Sequence, residues 1–530
     1  MFREMSKPAE INAIKKDFRK AKVRFALCYP STYRVGMSSL ATHLLYGLVN
    51  EIPYALCERF FYSFSDQQEF SVESSRPLRD FTIIGFSFQY ELDYVNALHM
   101  LMKSNIPLKS SERSSEHQLV IAGGPSITSN PMPMTPFFDV IVIGEAENLL
   151  PKIIDIVSSY DKPRDSLEEI SKMKGVFIPQ IHDKPIEKAL VEDLNNAFYP
   201  TAQVLSVDDE RKYRPVFEKS FLLEVSRGCP KGCRFCLESF LYRPYRERKL
   251  DRLIEILEEG LSKTPAKKVV CIGSAFAMHS RFNELLEVLL KTRIQLSIPS
   301  IWPTAINDQL VKLLLKGGQR TLTMAPETTS SRLQMAINKN FFEEDYYQAI
   351  KIAVKGGVKQ LKLYFMLGLP GEKDDDVAAI ARFLNNLVDL GFNRSRAIRV
   401  SINPFIPKAW TPFQWANFID EKSYKTRCLM LRKLIRKPQI EISCLNYKWA
   451  LIQAILSIGG AELSPIIQYV AENRGRLSAW RKALKKYDLD FKTLSFKARE
   501  LKPWTIVDLG VSEDFLKKEF EKALDALKSG

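Results

Sequence analysis

The sequence has no apolar run close to the roughly 20 residues that a membrane-spanning helix needs. Its first residues, MFREMSKPAEINAIKK, lack the apolar stretch of a secretory signal. Cysteine is also scarce, with eight residues in 530, and five of these are scattered along the chain (Cys28, Cys57, Cys271, Cys428 and Cys444). Such sparse usage excludes a disulfide framework and suits a reducing compartment. We therefore expect a cytoplasmic protein without a transmembrane segment.

The sequence is basic, with a formal net charge of +15, and the excess is concentrated near its end. Residues 421–530 contain 22 Lys and Arg against 13 Asp and Glu. Clustered cations attract polyanions, so this region is a candidate surface for RNA, lipid headgroups or a phosphate-bearing small molecule. A solvated helical surface also explains this composition, because charge segregation identifies no ligand.

A chain of 530 residues is too long for one hydrophobic core. Residues 1–160 alternate helical stretches with apolar runs such as VRFALC, TIIGFSF, LVIAGG and DVIVIG, which predicts a doubly wound parallel sheet. Its ligand crevice should lie at the carboxyl ends of the strands. Between residues 161 and 220 the pattern loosens and prolines interrupt any helix, so we interpret this stretch as a connector packed between domains.

A second alternation occupies residues 221–420, where amphipathic stretches separate six apolar runs (FLLEV, VVCIG, IQLSIP, TLTMAP, QLKLYFML and RAIRVSIN). Six strands with five intervening helices predict a partial parallel (β/α)6 barrel, whose functional loops follow the strand ends. Over residues 421–530 the strand signals mostly vanish, which predicts a helical C-terminal domain. The predicted fold class is α/β: a doubly wound sheet, a partial barrel and a helical end.

The segment SRGCPKGCRFC follows the first of these six runs and contains Cys229, Cys233 and Cys236 with the spacing C-x3-C-x2-C. Structural zinc requires four closed ligands, and no other Cys or His lies within 30 residues on either side. A cubane cluster normally has four cysteine ligands, so three cysteines leave one iron open to a small molecule. An iron–sulfur cluster is the favoured interpretation, with zinc as the alternative.

With Phe235 just before the last cysteine, this loop resembles the signature of the radical S-adenosylmethionine (SAM) superfamily. The resemblance implies a 4Fe-4S cluster on the three cysteines, whose open iron is chelated by the amino and carboxylate groups of SAM. It further implies that one electron from an external reductant breaks the sulfonium bond. The products are methionine and a 5′-deoxyadenosyl radical, which abstracts hydrogen from a substrate.

The same resemblance assigns SAM contacts to three further strand ends of the predicted barrel. Gly273 and Ser274 occupy the position of the family's glycine-rich turn, in a degenerate match that keeps one glycine and no glutamate. The other implied contacts are the polar and arginine positions after the fourth strand, and two residues on the fifth: Glu327, Ser331, Arg332, Lys362 and Tyr364. Each also has a structural interpretation, as a turn, a capped helix start or a strand-to-helix turn.

Residues 23–150 resemble the cobalamin-binding-like domain that precedes the barrel in one large group of radical SAM enzymes. The matching phrases are CYPSTYRVGMSSL, IGEAE, and GGPSIT with its turn residues Gly123, Gly124 and Pro125. The resemblance implies that this turn lies near the nucleotide tail of cobalamin, where a helix start would offer N–H groups to a phosphate. The D-x-H-x-x-G motif is absent, and His43, His99 and His117 stand in other contexts. Cobalamin is thus a candidate cofactor without a histidine ligand.

The leading hypothesis is a radical SAM enzyme that functionalises an unactivated carbon, by methylation if cobalamin carries a methyl group. A second hypothesis keeps this chemistry and takes tRNA as the substrate, because of the basic C-terminal region. A methylthiotransferase fits less well, since that family has three further cysteines in its first domain and this chain has only Cys28 and Cys57 there. The third hypothesis is a non-catalytic protein whose cluster is structural or passes electrons.

Overall fold

The computed structural model describes residues 7–489 and 499–528, which divide into two compact units. The first unit contains the described residues up to Phe221, together with Glu255–Ala266 and Ile455–Gly510. The second contains Leu222–Ile254, Lys267–Ala454 and the described residues from Val511 onward. Within the described ranges, no helix has the length and apolarity needed to cross a membrane.

A six-stranded sheet forms the centre of the first unit. In spatial order its strands are Ala55–Phe61, Val23–Tyr29, Ile83–Ser87, Leu119–Gly123, Val140–Val142 and Val176–Phe177. The first five are parallel, and the sixth is antiparallel to its neighbour. Nearly all residues of these strands are buried, as expected for a parallel sheet covered on both faces. The prediction of a parallel sheet in this region is confirmed.

Amphipathic helices supply the cover of this sheet. Tyr46 and Val49 of the helix Leu40–Glu51, and Ile153 of the helix Leu150–Ser158, share one buried cluster with alternate strand residues. Burial of such apolar side chains is the main stabilising contribution of this core. The remaining helices of eight or more residues that lie wholly in this unit are Tyr94–Lys103, Ser464–Glu472 and Leu477–Lys486.

The stretch 161–220 differs from the predicted connector, because it belongs to the first unit. Val176–Phe177 adds the sixth strand to the sheet, and Leu205–Ser206 pairs with Glu10–Ile11 in a small antiparallel sheet. Strands of two residues are too short to produce a recognisable alternation in the sequence, which is why the stretch resembled a linker.

The second unit contains the six strands predicted for the barrel: Ser220–Glu224 (whose first two residues belong to the first unit), Lys268–Ile272, Gln295–Ser297, Thr321–Glu327, Gln360–Leu367 and Ile398–Pro404. The first three form one sheet, and the last three form another with a seventh strand, Ile440–Cys444. The paired strands with a defined register are all parallel. The connecting helices are Leu250–Lys263, which spans both units, Phe282–Lys291, Asp308–Lys316, Glu343–Gly356 and Asp374–Val388.

The stretch 421–530 does not form the separate helical domain that its periodicity predicts. The helix Glu421–Leu434 and the strand Ile440–Cys444 belong to the second unit, residues 455–510 to the first, and the helix Glu513–Lys528 to the second; the helix Tyr447–Ile458 spans both. Residues 490–498 of the stretch lie outside the described residues. The strand alternates polar and apolar residues, but the long helical runs on either side dominate the periodicity.

A fully buried carboxylate, Asp139, holds part of the first unit together. It accepts hydrogen bonds from the Val120 N–H at 2.8 Å, from Arg113 Nη1 at 3.1 Å and from the Ser110 hydroxyl. It also pairs with the guanidinium of Arg164. One buried acid therefore neutralises two guanidinium groups.

Replacing Asp139 by Asn should lower the free energy of unfolding of the first unit by about 3 kcal/mol, because both arginines lose their counter-charge while remaining enclosed. Thermal unfolding of the full chain, followed by circular dichroism, measures the effect. The matched control is Asp155→Asn, at an exposed carboxylate that accepts a hydrogen bond from the Tyr54 hydroxyl at 2.9 Å. Equal midpoints for the two variants would contradict the assigned role of Asp139.

Candidate functional site

The three neighbouring cysteines lie on a tight loop that follows the strand Ser220–Glu224. Gly228 begins the loop with φ of 79°, and a Cβ atom there would lie 2.6 Å from the Tyr242 carbonyl oxygen, so a side chain is excluded. The Cys236 N–H donates to the Cys233 carbonyl at 3.0 Å, which curls the end of the loop into a turn. The sequence spacing thus corresponds to one compact loop.

Arg234 and Asn338 fix this loop to the segment that follows the helix Ser331–Ala336. Arg234 Nη1 donates to the carbonyls of Met335 and Ala336, both at 2.9 Å, and the Arg234 N–H donates to the Ile337 carbonyl at 3.0 Å. Asn338 Nδ2 donates to the Gly232 carbonyl at 3.1 Å. These contacts hold the backbone on both sides of Cys233.

Burial raises the pKa of all three thiols, to about 11 for Cys233 and about 12 for Cys236. For Cys233, the ammonium of Lys339 opposes the effect of burial. The negative charge of Cys233 and of Cys229 raises the pKa of Cys236 further, so the three sulfurs are near neighbours. A thiolate here requires a positive partner that replaces its proton, which a metal centre provides.

The geometry of the sulfurs bears on the kind of metal centre. Within residues 7–489 and 499–528, no three Cys, His, Asp or Glu side chains converge as tightly as a single bound ion requires. Zinc–sulfur bonds of about 2.3 Å would need sulfurs only about 3.8 Å apart. A cubane binds each thiolate through a different iron and does not need this convergence. The donor set of three thiolates without a nearby fourth ligand fits the cluster.

Glu327 lies beside the cysteine loop at the end of the strand Thr321–Glu327. It has φ of 68°, unusual for a residue other than glycine, and the strand register shifts just before it. Its carboxylate accepts a hydrogen bond from Lys339 Nζ at 3.0 Å, and this ammonium lies 5.9 Å from the ring centroid of Phe235. The structure therefore brings together Glu327 and Phe235, both predicted site residues, through a lysine that the sequence did not single out.

Gly273 and Ser274 approach the other side of the cysteine loop. A Cβ atom on Gly273 would lie 2.8 Å from the Ser226 hydroxyl, so glycine is required by this close approach. The Ser274 hydroxyl donates to Glu238 Oε1 at 2.6 Å. Glu238 follows the last cysteine by two residues, and its charge raises the pKa of Cys229 and Cys236. A carboxylate from the loop itself thus lies at the degenerate turn.

Arg332 and Ser331 differ from their predicted roles. Arg332 Nη2 donates to Asp376 at 2.7 Å and to the Gly371 carbonyl at 3.0 Å, so its guanidinium already has a carboxylate partner inside the protein. Ser331 is exposed at the start of a six-residue helix. The glycine-rich loop is also packed internally, since a Cβ atom on Gly371 would meet the side chain of Leu527 at 2.8 Å.

Lys362 and Tyr364 lie on the less buried face of the strand Gln360–Leu367, together with Met366. The Lys362 ammonium lies 5.2 Å from the Tyr364 ring centroid. Met366 packs against the same apolar cluster as Phe235 of the cysteine loop. Because a strand advances about 3.3 Å per residue, Lys362 is separated from that end of the face by roughly 13 Å. Tyr364 is the nearer of the two.

In the first unit, the predicted turn of Gly123, Gly124 and Pro125 is occupied by protein contacts. The Ser126 hydroxyl donates to the Phe88 carbonyl at 3.1 Å. A Cβ atom on Gly124, which has φ of 109°, would lie 2.4 Å from that carbonyl oxygen. The glycine therefore allows close packing on Phe88, and the expected free N–H groups are not a feature of this five-residue helix start.

The three histidines of the first 150 residues are engaged locally. His43 Nε2 lies 3.1 Å from the Met37 carbonyl, His99 Nδ1 lies 2.9 Å from the Tyr62 hydroxyl, and His117 Nδ1 lies 2.9 Å from the Ser114 hydroxyl. Burial lowers the pKa of His43 to about 4. These contacts agree with the absence of a corrinoid histidine motif.

Comparison with known proteins identifies the family. Residues 223–384 match the radical SAM superfamily, and residues 41–179 match the family described as radical SAM proteins, N-terminal. The chain is 31% identical over 464 residues to an uncharacterised protein of Methanocaldococcus jannaschii, covering 86% of this chain and 93% of that protein. The chain belongs to the radical SAM superfamily. This radical SAM enzyme is also 24% identical to an uncharacterised methyltransferase of Pyrococcus horikoshii, over 53% of this chain and 60% of that protein.

Two solved structures share the fold of this radical SAM enzyme. One is the methyltransferase TsrM from Kitasatospora setae with cobalamin and a 4Fe-4S cluster bound, with a TM-score of 0.51 and 14% identity over 90% of this chain and 99% of that chain. The other is the cobalamin-dependent enzyme OxsB with aqua-cobalamin and SAM bound, with a TM-score of 0.50 and 13% identity over 96% of this chain and 80% of that chain. The mixed α/β class is therefore confirmed.

Sequence reasoning missed four residues that shape the site: Arg234, Glu238, Asn338 and Lys339. Arg234 and Glu238 stand within two residues of a cysteine, which was a usable signal. Asn338 and Lys339 lie about 100 residues later, and only the fold brings them to the loop.

Proposed function

We propose that this radical SAM enzyme binds a 4Fe-4S cluster through Cys229, Cys233 and Cys236 and cleaves SAM reductively to functionalise an unactivated carbon. The observation that carries the proposal is the compact loop of three mutually interacting thiols without a nearby fourth ligand. All eight cysteines are free, which fits the proposed location in the reducing cytoplasm. An external one-electron donor is required.

When bound, the reduced cluster and SAM supply a carbon-centred radical that abstracts hydrogen from the substrate. The protein's own contribution is to hold three thiolates in place and to exclude water from the loop. Arg234 and Asn338 set the backbone of the loop, while Phe235 packs its outer side against an apolar cluster that contains Leu333 and Phe413. Lys339 favours the thiolate of Cys233.

Replacing Cys233 by Ala should abolish SAM cleavage and lower iron content, because the central ligand of the loop is lost. After anaerobic reconstitution with iron, sulfide, SAM and dithionite, the wild-type chain should bind about four irons and form 5′-deoxyadenosine or S-adenosylhomocysteine. The matched control is Cys271→Ala, at a buried thiol on the strand Lys268–Ile272. Neither product from the wild type, even with cobalamin and cell extract, would overturn the proposal.

We assign Glu238 as the counter-charge for bound SAM. Its half-buried carboxylate accepts from the Ser274 hydroxyl, and no Lys or Arg pairs with it within the described residues. It also lies near thiolates of the same sign. An acid in such surroundings is stabilised by a positive ligand, and SAM carries both a sulfonium and an ammonium group.

Glu238→Gln should weaken SAM binding about tenfold, a loss of roughly 1.4 kcal/mol. The substitution should matter much less for the SAM analogue whose amino group is replaced by hydroxyl, if the ammonium is the group held. Isothermal titration of the reconstituted protein measures both affinities, and the control is Glu284→Gln at an exposed acid paired with Arg281. Unchanged affinity for SAM would contradict the assignment.

We propose cobalamin as a second cofactor, held by the first unit. The proposal is supported by the similarity of fold to TsrM and OxsB and by a parallel sheet with a carboxyl edge suited to a large ligand. The local contacts of His43, His99 and His117 fit binding without a histidine from this group. With cobalamin as methyl carrier, the reaction is a methylation.

A second candidate function is RNA modification, favoured by the helix Leu477–Lys486. Its buried face is formed by Ala479, Trp480 and Ala483, and its exposed face carries Arg481, Lys482, Lys485 and Lys486. No large apolar side chain is exposed between residues 477 and 486. A helix that inserts into a lipid surface presents apolar residues beside its cations, so this face suits RNA phosphates better than a membrane.

The combined substitution K482E/K485E/K486E should reduce binding of the full chain to labelled tRNA at least tenfold, because phosphate contacts dominate such affinity. Wild-type binding should weaken as salt rises. The matched control, K422E/K425E/K433E, reverses three exposed cations on the helix Glu421–Leu434. Fluorescence anisotropy measures all three proteins. Binding that ignores salt, or an equal loss in both variants, would overturn the assignment to this helix.

A further inference from the structure

The helix Glu421–Leu434 and the edge strand Ile440–Cys444 bring together two cysteines that lie 16 positions apart. The buried face of the helix is formed by Tyr424, Cys428 and Leu431. The Tyr424 hydroxyl donates to the Leu445 carbonyl at 3.0 Å. Cys428 lies one turn further along this face, and Cys444 is the residue before Leu445. The helix therefore presents Cys428 towards the end of the strand.

The alternation of the strand gives Cys444 the same orientation. Glu441 and Ser443 are exposed on one side, whereas Ile440, Ile442 and Cys444 are half-buried on the other. Successive side chains of a strand point to opposite faces, so Cys444 lies on the face with the isoleucines. The strand is the edge of its sheet and pairs only with Ile398–Pro404 among the described strands. Cys444 thus remains partly accessible.

The two thiols and Arg432 interact directly. The pKa of Cys444 is lowered, first because the Cys428 thiol donates a hydrogen bond to its sulfur, and also because the guanidinium of Arg432 lies beside it. The same contact raises the pKa of Cys428. The other six cysteines all have a raised pKa, with burial as the largest cause. Cys444 is therefore the most readily ionised thiol of the chain.

We propose that Cys444 and Cys428 form a redox-active pair that exchanges with low-molecular-weight disulfides, with Cys444 as the attacking thiolate and Cys428 as the resolving thiol. Cys444 attacks one sulfur of the small disulfide, which breaks its S–S bond, forms a mixed disulfide and releases one small thiol. Cys428 then attacks the Cys444 sulfur, which forms the Cys428–Cys444 bond and releases the second small thiol. The two cysteines lose two electrons and two protons, and the small disulfide gains both.

The location of the pair explains what oxidation would change. A Cys428–Cys444 bond would fasten the helix Glu421–Leu434 to the edge strand of the four-stranded sheet. Edge strands are the least constrained part of a sheet, so a covalent link here restricts local opening. Oxidation is reversible by a small thiol. This inference does not depend on the proposed radical chemistry, because neither cysteine belongs to the cluster loop.

The pair is tested on the full-length protein, prepared anaerobically and treated with oxidised glutathione. Peptide mapping by mass spectrometry should find a cross-linked peptide that contains Cys428 and Cys444 in the wild type. In Cys428→Ser the reaction should stop at a glutathione adduct on Cys444. In Cys444→Ser, Cys428 should remain unmodified.

Arg432→Gln should slow the formation of the adduct several-fold, whereas Arg436→Gln, an exposed arginine beyond the end of the same helix, should not. The wild-type experiment needs no variant to fold, so it decides the matter by itself. Absence of the cross-link in the wild type, or an adduct on Cys428 in Cys444→Ser at the wild-type rate, would overturn the proposal.

Discussion

The structure of the site depends on one set of hydrogen bonds, those that Arg234 makes inside the cysteine loop. Its side chain donates to two consecutive carbonyls, of Met335 and Ala336, at the end of a short helix. Those carbonyls have no partner within the helix, so a guanidinium that reaches both satisfies buried acceptors and fixes the loop at once. Glu519 balances its charge, with Oε2 3.0 Å from Nη2.

A loop fixed in this way has an electrostatic cost. Three partly buried thiols lie close together, and their raised pKa values show that the protein alone does not favour thiolates. Glu238 adds a further negative charge beside them. The site is therefore arranged for positively charged occupants: metal in the loop and, beside Ser274, a cationic small molecule. A site with such requirements is consistent with the family to which the chain belongs.

The alternation of strands and helices, and the cysteine loop itself, could be predicted because their signals are local. Three cysteines within eight positions and strands of five or more buried residues are visible in the sequence. The role assigned to Arg332 failed because its partner Asp376 lies 44 residues later. Cys428 and Cys444 seemed scattered, because only the fold brings a helix face opposite an edge strand. The boundaries around 161–220 and 421–530 differ because short strands and returning segments leave no periodic signal.

The most direct test of this account is the electron paramagnetic resonance spectrum of the anaerobically reconstituted, reduced protein, recorded with and without SAM. The account predicts the signal of one reduced 4Fe-4S cluster, and a change in its g-values when SAM binds the iron that lacks a protein ligand. A signal that SAM leaves unchanged, or a protein that takes up zinc in place of iron at Cys229, Cys233 and Cys236, would contradict it.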